Sequence, residues 1–196
     1  MDITIKQGST FKQIVRWEST PYVYKPVTAV AKSAPASVTS AAHGVPTGWR
    51  VAVQSVLGMK QINALNDPPK PRDFHLATVV DANTVTLDRV NALGYGTYIS
   101  GGVLVYATPT DMTGFTARMQ IRKSVASATF LAELTTENAG IAIDNVAKTI
   151  TLTLTAVATA ALNFTNAVYA LEMVSATGVV TPLLEGVVVL SKEVTR

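Results

Sequence analysis

The sequence predicts an all-β chain, a β-sandwich interrupted by a second, smaller β-barrel domain inserted into it. Three observations carry that expectation. Short runs alternate apolar and polar residues with a period of two, the mark of strands with one buried face. Turn-forming residues punctuate them at short intervals. An even run of such strands is broken by a stretch of different character and then resumes in the same style. The break places residues 1–25 and 108–196 in one discontinuous sandwich and residues 26–107 in the insert, and 196 residues suffice for two cores.

The outer domain begins with strands at 2–6 and 11–18, both before the insertion. After it, Phe115-Thr116-Ala117-Arg118-Met119-Gln120-Ile121-Arg122 is apolar at odd positions and polar at even ones. Ile150, Leu152 and Leu154 alternate with threonines in the same way, and further strands are expected at 130–135, 168–174 and 183–190. Asp111–Gly114, Glu137–Gly140, Asp144-Asn145 and Ala176–Gly178 supply the turns. The Ala-rich run 156–162, with Thr155 as N-cap, reads as one short helical turn crossing between two sheets. Tyr169 has two readings, a corner tyrosine whose hydroxyl bonds back to the preceding corner, as in immunoglobulin-like sandwiches, or an ordinary core residue.

The insert carries short strands around 28–32, 36–40, 50–55, 75–80, 84–88 and 103–106, with tight turns at His43-Gly44, Gly48, Gly58 and Gly101-Gly102. Asn66–Asp73 contains three prolines, which lack amide donors, so it reads as an exposed and stiff loop. Trp49 borders a strand and is expected in the core; Tyr95 and Tyr98, beside turns, are the better aromatic candidates for exposure, with a core or turn-packing role the stronger reading for each.

Composition narrows function. Charged residues make up 15%, against roughly 25% in an average soluble domain, which suggests surface covered by other chains. The net charge of +3 is dispersed: four Lys/Arg and two Asp/Glu in residues 1–25, six and four in 26–107, six and seven in 108–196. No basic stripe forms, so nucleic acid is not an expected partner. The longest apolar runs are strand-length and MDITIKQGSTF resembles no targeting peptide, so a soluble protein without membrane association is expected.

No cysteine is present, which removes disulfides, thiolate metal sites and cysteine nucleophiles. Only His43 and His75 offer imidazoles; a backbone-bonded turn histidine and a satisfied or solvent-facing one are the expected roles. Asp67, Asp73, Asp81 and Asp88 lack the dense oxygen spacing of a calcium loop and read as solvated carboxylates. Gly94-Tyr-Gly96 has no third glycine and no following helix, and Gly-x-Ser-x-Gly and Walker-type words are missing. Asn163-Phe-Thr165 spells a glycosylation sequon only. No catalytic, cofactor or metal residue is assigned, and no enzyme is expected.

DMTGFTARMQIR, FLAELTTENAGIAI, ITLTLTAVATAAL, VYALEMVSATG and LLEGVVVLSKEVTR, in that order, resemble the immunoglobulin-like domain of phage baseplate upper proteins and related tail proteins. The resemblance covers most of residues 1–20 and 108–196. In the insert, PASVTSAAHGVPTGWRVAVQSVLGMKQIN and ANTVTLDRVNALGYGTYISGG resemble a module repeated in phage tail proteins, itself similar to the small β-barrel known as the first catalytic cysteine half-domain of ubiquitin-activating enzymes. Ubiquitin chemistry does not follow in a chain without cysteine. The match departs at the 66–73 loop, which marks Lys70 and Arg72 as a specialised contact.

The resemblance implies a mechanical role: a structural virion protein of a tailed phage, an adaptor in the tail tip, baseplate or neck that helps attach fibres or receptor-binding proteins. Expected partners are other tail or baseplate proteins, fibres and further copies of the chain, in a virion assembled in the host cytoplasm. The alternative is a capsid-decoration protein or one that binds a host glycan or receptor. The alternation in Asp2-Ile-Thr-Ile-Lys adds Ile3 and Ile5 as candidates for pairing residues 1–8 with a neighbouring sheet edge, beside Tyr95, Tyr98, Lys70 and Arg72.

Overall fold

A computed structural model describes residues 1–193. The end of the last expected motif, at 194–196, lies outside the described residues. In chain order the strands are β1 (Ile3–Lys6), β2 (Phe11–Val15), β3 (Glu18–Pro26), β4 (Ala29–Ala31), β5 (Ala36–Thr39), β6 (Trp49–Leu57), β7 (His75–Asp81) and β8 (Thr84–Leu87). They continue as β9 (Ser100–Pro109), β10 (Thr116–Arg122), β11 (Ala132–Thr135), β12 (Ile141–Asp144), β13 (Thr149–Leu154), β14 (Asn166–Val174) and β15 (Val180–Ser191). The α-helix α1 (Ala156–Ala160) and single 3-10 turns at Lys60–Ile62 and Pro71–Asp73 complete the elements, so the chain is all-β.

Two compact units form, Met1–Trp17 with the chain from Asp111 onward, and Glu18–Thr110. The seam lies earlier and later than the sequence suggested at 26 and 107. The cause is β3: ESTPYVYKP looks like a continuation of the first strands, but it pairs antiparallel with β9 from Glu18↔Pro109 to Pro26↔Val103. The expected strand 11–18 therefore ends at Val15.

The outer unit holds a five-stranded sheet, β1-β15-β14-β10-β11, and a three-stranded sheet, β12-β13-β2. Both supply one core: Ile5, Met119, Ile121, Leu134 and Leu171 from the first, Ile141, Ile150 and Leu152 from the second. Each such side chain contributes about 1.5–3 kcal/mol by leaving water. Ala117, Met119 and Ile121 are buried while Arg118 is exposed, as the alternation of β10 requires. Thr155 Oγ1 accepts from Ala158 N at 3.1 Å and caps α1, which joins β13 in one sheet to β14 in the other. Trp17, at the edge of the seam, meets Phe115 edge-on, with ring centroids 5.4 Å apart. β12 was not anticipated from its four-residue pattern.

The inserted unit is one seven-stranded sheet, β3-β9-β6-β7-β8-β5-β4. Its two edge strands are consecutive in the chain, separated only by Val27 and Thr28, so the sheet is rolled until its edges approach. Trp49, Val51, Val53, Val85, Leu87, Leu104 and Tyr106 fill the interior. Trp49 is fully buried, as expected, and its indole donates to Ala107 O at 2.8 Å. Gly101 and Gly102 are not a turn: both lie within β9 and keep positive φ there.

Candidate interaction surfaces

The two units carry different kinds of surface. On the outer unit, β10, β14 and β15 turn their second faces outward and frame an open groove of ≈ 850 Å³. The buried positions of β10 are odd, so Arg118, Gln120 and Arg122 project here. Arg118 Nε donates to Glu172 Oε2 at 2.8 Å across the β10–β14 pair. Gln120 Nε2 donates to Glu133 Oε1 at 2.6 Å, while Arg122 donates to Gln120 Oε1 and to Ser127 O in the β10–β11 connection. Val125, 90% exposed, stands at the rim, and Val168 and Val187 add apolar lining. Sequence reasoning passed over this surface, although the polar even positions of 115–122 were its signal.

Tyr169 lies on the buried face of β14, in the core of the outer unit, and donates its hydroxyl to Met1 O at 2.7 Å. The partner is the chain start rather than a preceding corner, which corrects the corner-tyrosine reading. Burial foremost, with Asp2 adding, raises its phenol above the ordinary value. The Met1 ammonium donates to Glu185 O at 2.8 Å, and Val187 N donates to Asp2 Oδ1 at 3.2 Å. Gly186 permits this seating, because a Cβ there would lie 2.3 Å from Met1 O.

That anchoring overturns the expectation for Ile3 and Ile5. They are 3% and 0% exposed, and β1 pairs in parallel with β15 of its own chain, Ile3↔Val188 through Lys6↔Ser191. Neither can serve as an exposed contact.

On the inserted unit, the loop after β6 folds onto the sheet instead of standing free. Ala52 and Gln54 are buried together with Val51 and Val53, so β6 is covered on both faces. Gln54 Nε2 donates to Asn66 O at 3.2 Å and approaches Asp67 Oδ1 at 3.3 Å. Asp73 organises the segment: its carboxylate accepts from Lys70 N (2.8 Å), Asn66 Nδ2 (2.8 Å) and Leu65 N (3.3 Å). Lys70's amide foremost, then Asn66, holds its carboxyl below the ordinary aspartate value against desolvation. Asp73 and Pro69 are buried, which corrects both the solvated-carboxylate and the free-loop readings for these residues; Asp67, Asp81 and Asp88 are exposed.

Lys70 and Arg72 remain exposed, as do Leu65 and Pro68. Beside them, Tyr22 and Phe74 pack with centroids 5.7 Å apart, next to a two-pronged Arg50–Glu18 ion pair (Nε–Oε1 2.9 Å). Glu18's hydrogen bond raises the Arg50 guanidinium.

Tyr95 and Tyr98 are half-buried against the insert's core, and the Tyr98 hydroxyl lies 3.2 Å from Val27 O and 3.1 Å from Gly101 O. Their loop is pressed onto Gly58 (φ +86°), where a Cβ would stand 2.1 Å from Thr97 O. Structural packing therefore uses most of both rings, and Ile99 and Leu93 are the loop's exposed apolar groups.

His43 is buried and backbone-bonded: Nδ1 accepts from Val45 N (3.0 Å), so the neutral ring donates Nε2–H to Asp81 O (3.0 Å). Tyr106 donates to the His43 carbonyl. His75, half-buried at the start of β7, is lowered by desolvation, with Asp73 opposing. Among the described residues no group of three His, Cys, Asp or Glu is placed to hold a metal ion, and no helix is long and apolar enough to cross a membrane. Comparison of the chain with protein-family models and with curated proteins finds no match.

Proposed function

We propose that this chain is a structural virion protein of a tailed phage, an adaptor at the tail tip, baseplate or neck that holds fibres or receptor-binding proteins. The observation that carries the reading is the organisation of the chain. The words that resemble a phage immunoglobulin-like domain fall on one folded β-unit, and those that resemble a phage tail module fall on a second, inserted into the first. Two sheets around one core in the outer unit suit an immunoglobulin-like sandwich, and the rolled sheet of the insert suits a small barrel.

The mechanism is geometric. Stiff β-units with few charges present complementary surfaces, and repeated copies set the symmetry. The protein acts by position and catalyses nothing.

A small tag inserted after Thr177, in the exposed β14–β15 turn, leaves both sheets intact and can be seen on assembled particles by electron microscopy. A ring of extra density at the tail tip or neck is the expected result. Density scattered over the head would replace the adaptor with a capsid-decoration protein, and particles without the tag would overturn the virion reading.

A further inference from the structure

We propose that the groove on the outer unit receives the 64–72 loop of a second copy of this chain, so that copies join head to tail. The inference deepens the adaptor reading and takes from it only the setting in which copies meet.

Charge complementarity selects the occupant. The groove is lined by two arginines and three glutamates. Arg118 is taken by Glu172, and Arg122 by Gln120 and a backbone carbonyl. Glu133 and Glu185 face the groove with no cationic partner among the described ion pairs. The loop offers the converse, Lys70 and Arg72, exposed and without an ion pair among the described residues. Leu65, 84% exposed on the same loop, has an apolar counterpart in Val125 and Val187.

The loop is also ready to bind. Asp73 fixes it through three hydrogen bonds before any partner arrives, so docking orders little further backbone. Because groove and loop are different surfaces, the contact is heterologous and propagates into a ring or a filament.

The test is charge exchange on the full chain, followed by sedimentation over a range of concentrations. Lys70→Glu with Arg72→Glu, or Glu133→Lys with Glu185→Lys, should each weaken self-association by more than about tenfold. A mixture of the two double variants, or all four changes in one chain, should restore it. Circular dichroism confirms that each variant is folded, and Glu133→Gln with Glu185→Gln serves where the lysine variant does not fold. A wild-type chain that stays monomeric, or assembly indifferent to the exchanges, overturns the inference. A monomer that nevertheless forms a ring of density on virions would sink the head-to-tail contact and leave the adaptor standing; rescued assembly with no virion density would do the reverse.

Discussion

The two units solve the burial of β-strands differently. In the outer unit a five-stranded and a three-stranded sheet share one core, so most strands keep a wet face. In the inserted unit one sheet rolls on itself, and its strand β6 is covered inside by the core and outside by its own following loop. A wet face displays side chains at every second position, so the outer unit offers a sheet face as its surface. The insert offers a loop, held in place by Asp73.

The largest effect that sharpens this contrast is expected at Trp49. Trp49→Ala opens a cavity in the rolled sheet and removes the bond to Ala107 O, at a cost of about 3–5 kcal/mol. Hydrogen exchange should rise across 18–110 and stay low in the outer unit; equal loss in both would mean the units share one folding transition.

Next comes the seat of the chain start. Gly186→Ala places a methyl group 2.3 Å from Met1 O, so residues 1–2 must lift and the outer unit should lose about 1–3 kcal/mol. Calorimetry together with exchange in β1 and β15 reads this directly, and an unchanged melting profile would refute the seating. Smaller still, Tyr169→Phe deletes a single hydrogen bond to Met1 O and should cost about 1 kcal/mol in chemical denaturation.

The last effect depends on pH and belongs to the insert. Asp73 has a depressed pKa, so its contribution to holding the loop is present above the unfolded value, about 3.9, and is lost as pH falls through the folded value. The amide resonances of Leu65 and Lys70 should therefore hold constant from neutral pH and move only below about pH 4. Asp73→Asn should shift both at neutral pH and abolish the acid titration; a titrating Asn variant would assign the effect to another group.

The same contrast explains what could be read from sequence. Alternation located β10 and β13 because each has one wet face, and Thr155 announced α1 because a cap is a local signal. Ile3 and Ile5 misled because an amphipathic strand of four residues looks the same whether its partner is its own β15 or another chain. The Tyr169 acceptor lies 168 residues away, beyond any local pattern. Asp73 looked like any loop carboxylate, since two of its three donors are backbone amides that no side-chain motif records. Lys70 and Arg72 were correctly placed at the surface, on a loop whose order only tertiary contacts create. The groove was written into the even positions of β10, yet only the neighbouring strands turn those side chains into a lined surface.

The parallel pairing of β1 with β15 has a consequence for synthesis. A ribosome makes Ile3 before the whole inserted unit and Val188 after it, and these two residues must lie side by side. The contacts of the inserted unit close within 18–110, so that unit can fold while β1 and β2 still wait for strands not yet made. Nascent chains arrested at increasing lengths should therefore show the second-starting unit finishing first. Until β15 emerges, β1 would remain an unpaired strand with a bare apolar face, tethered to a finished neighbour, the stretch most in need of protection during translation.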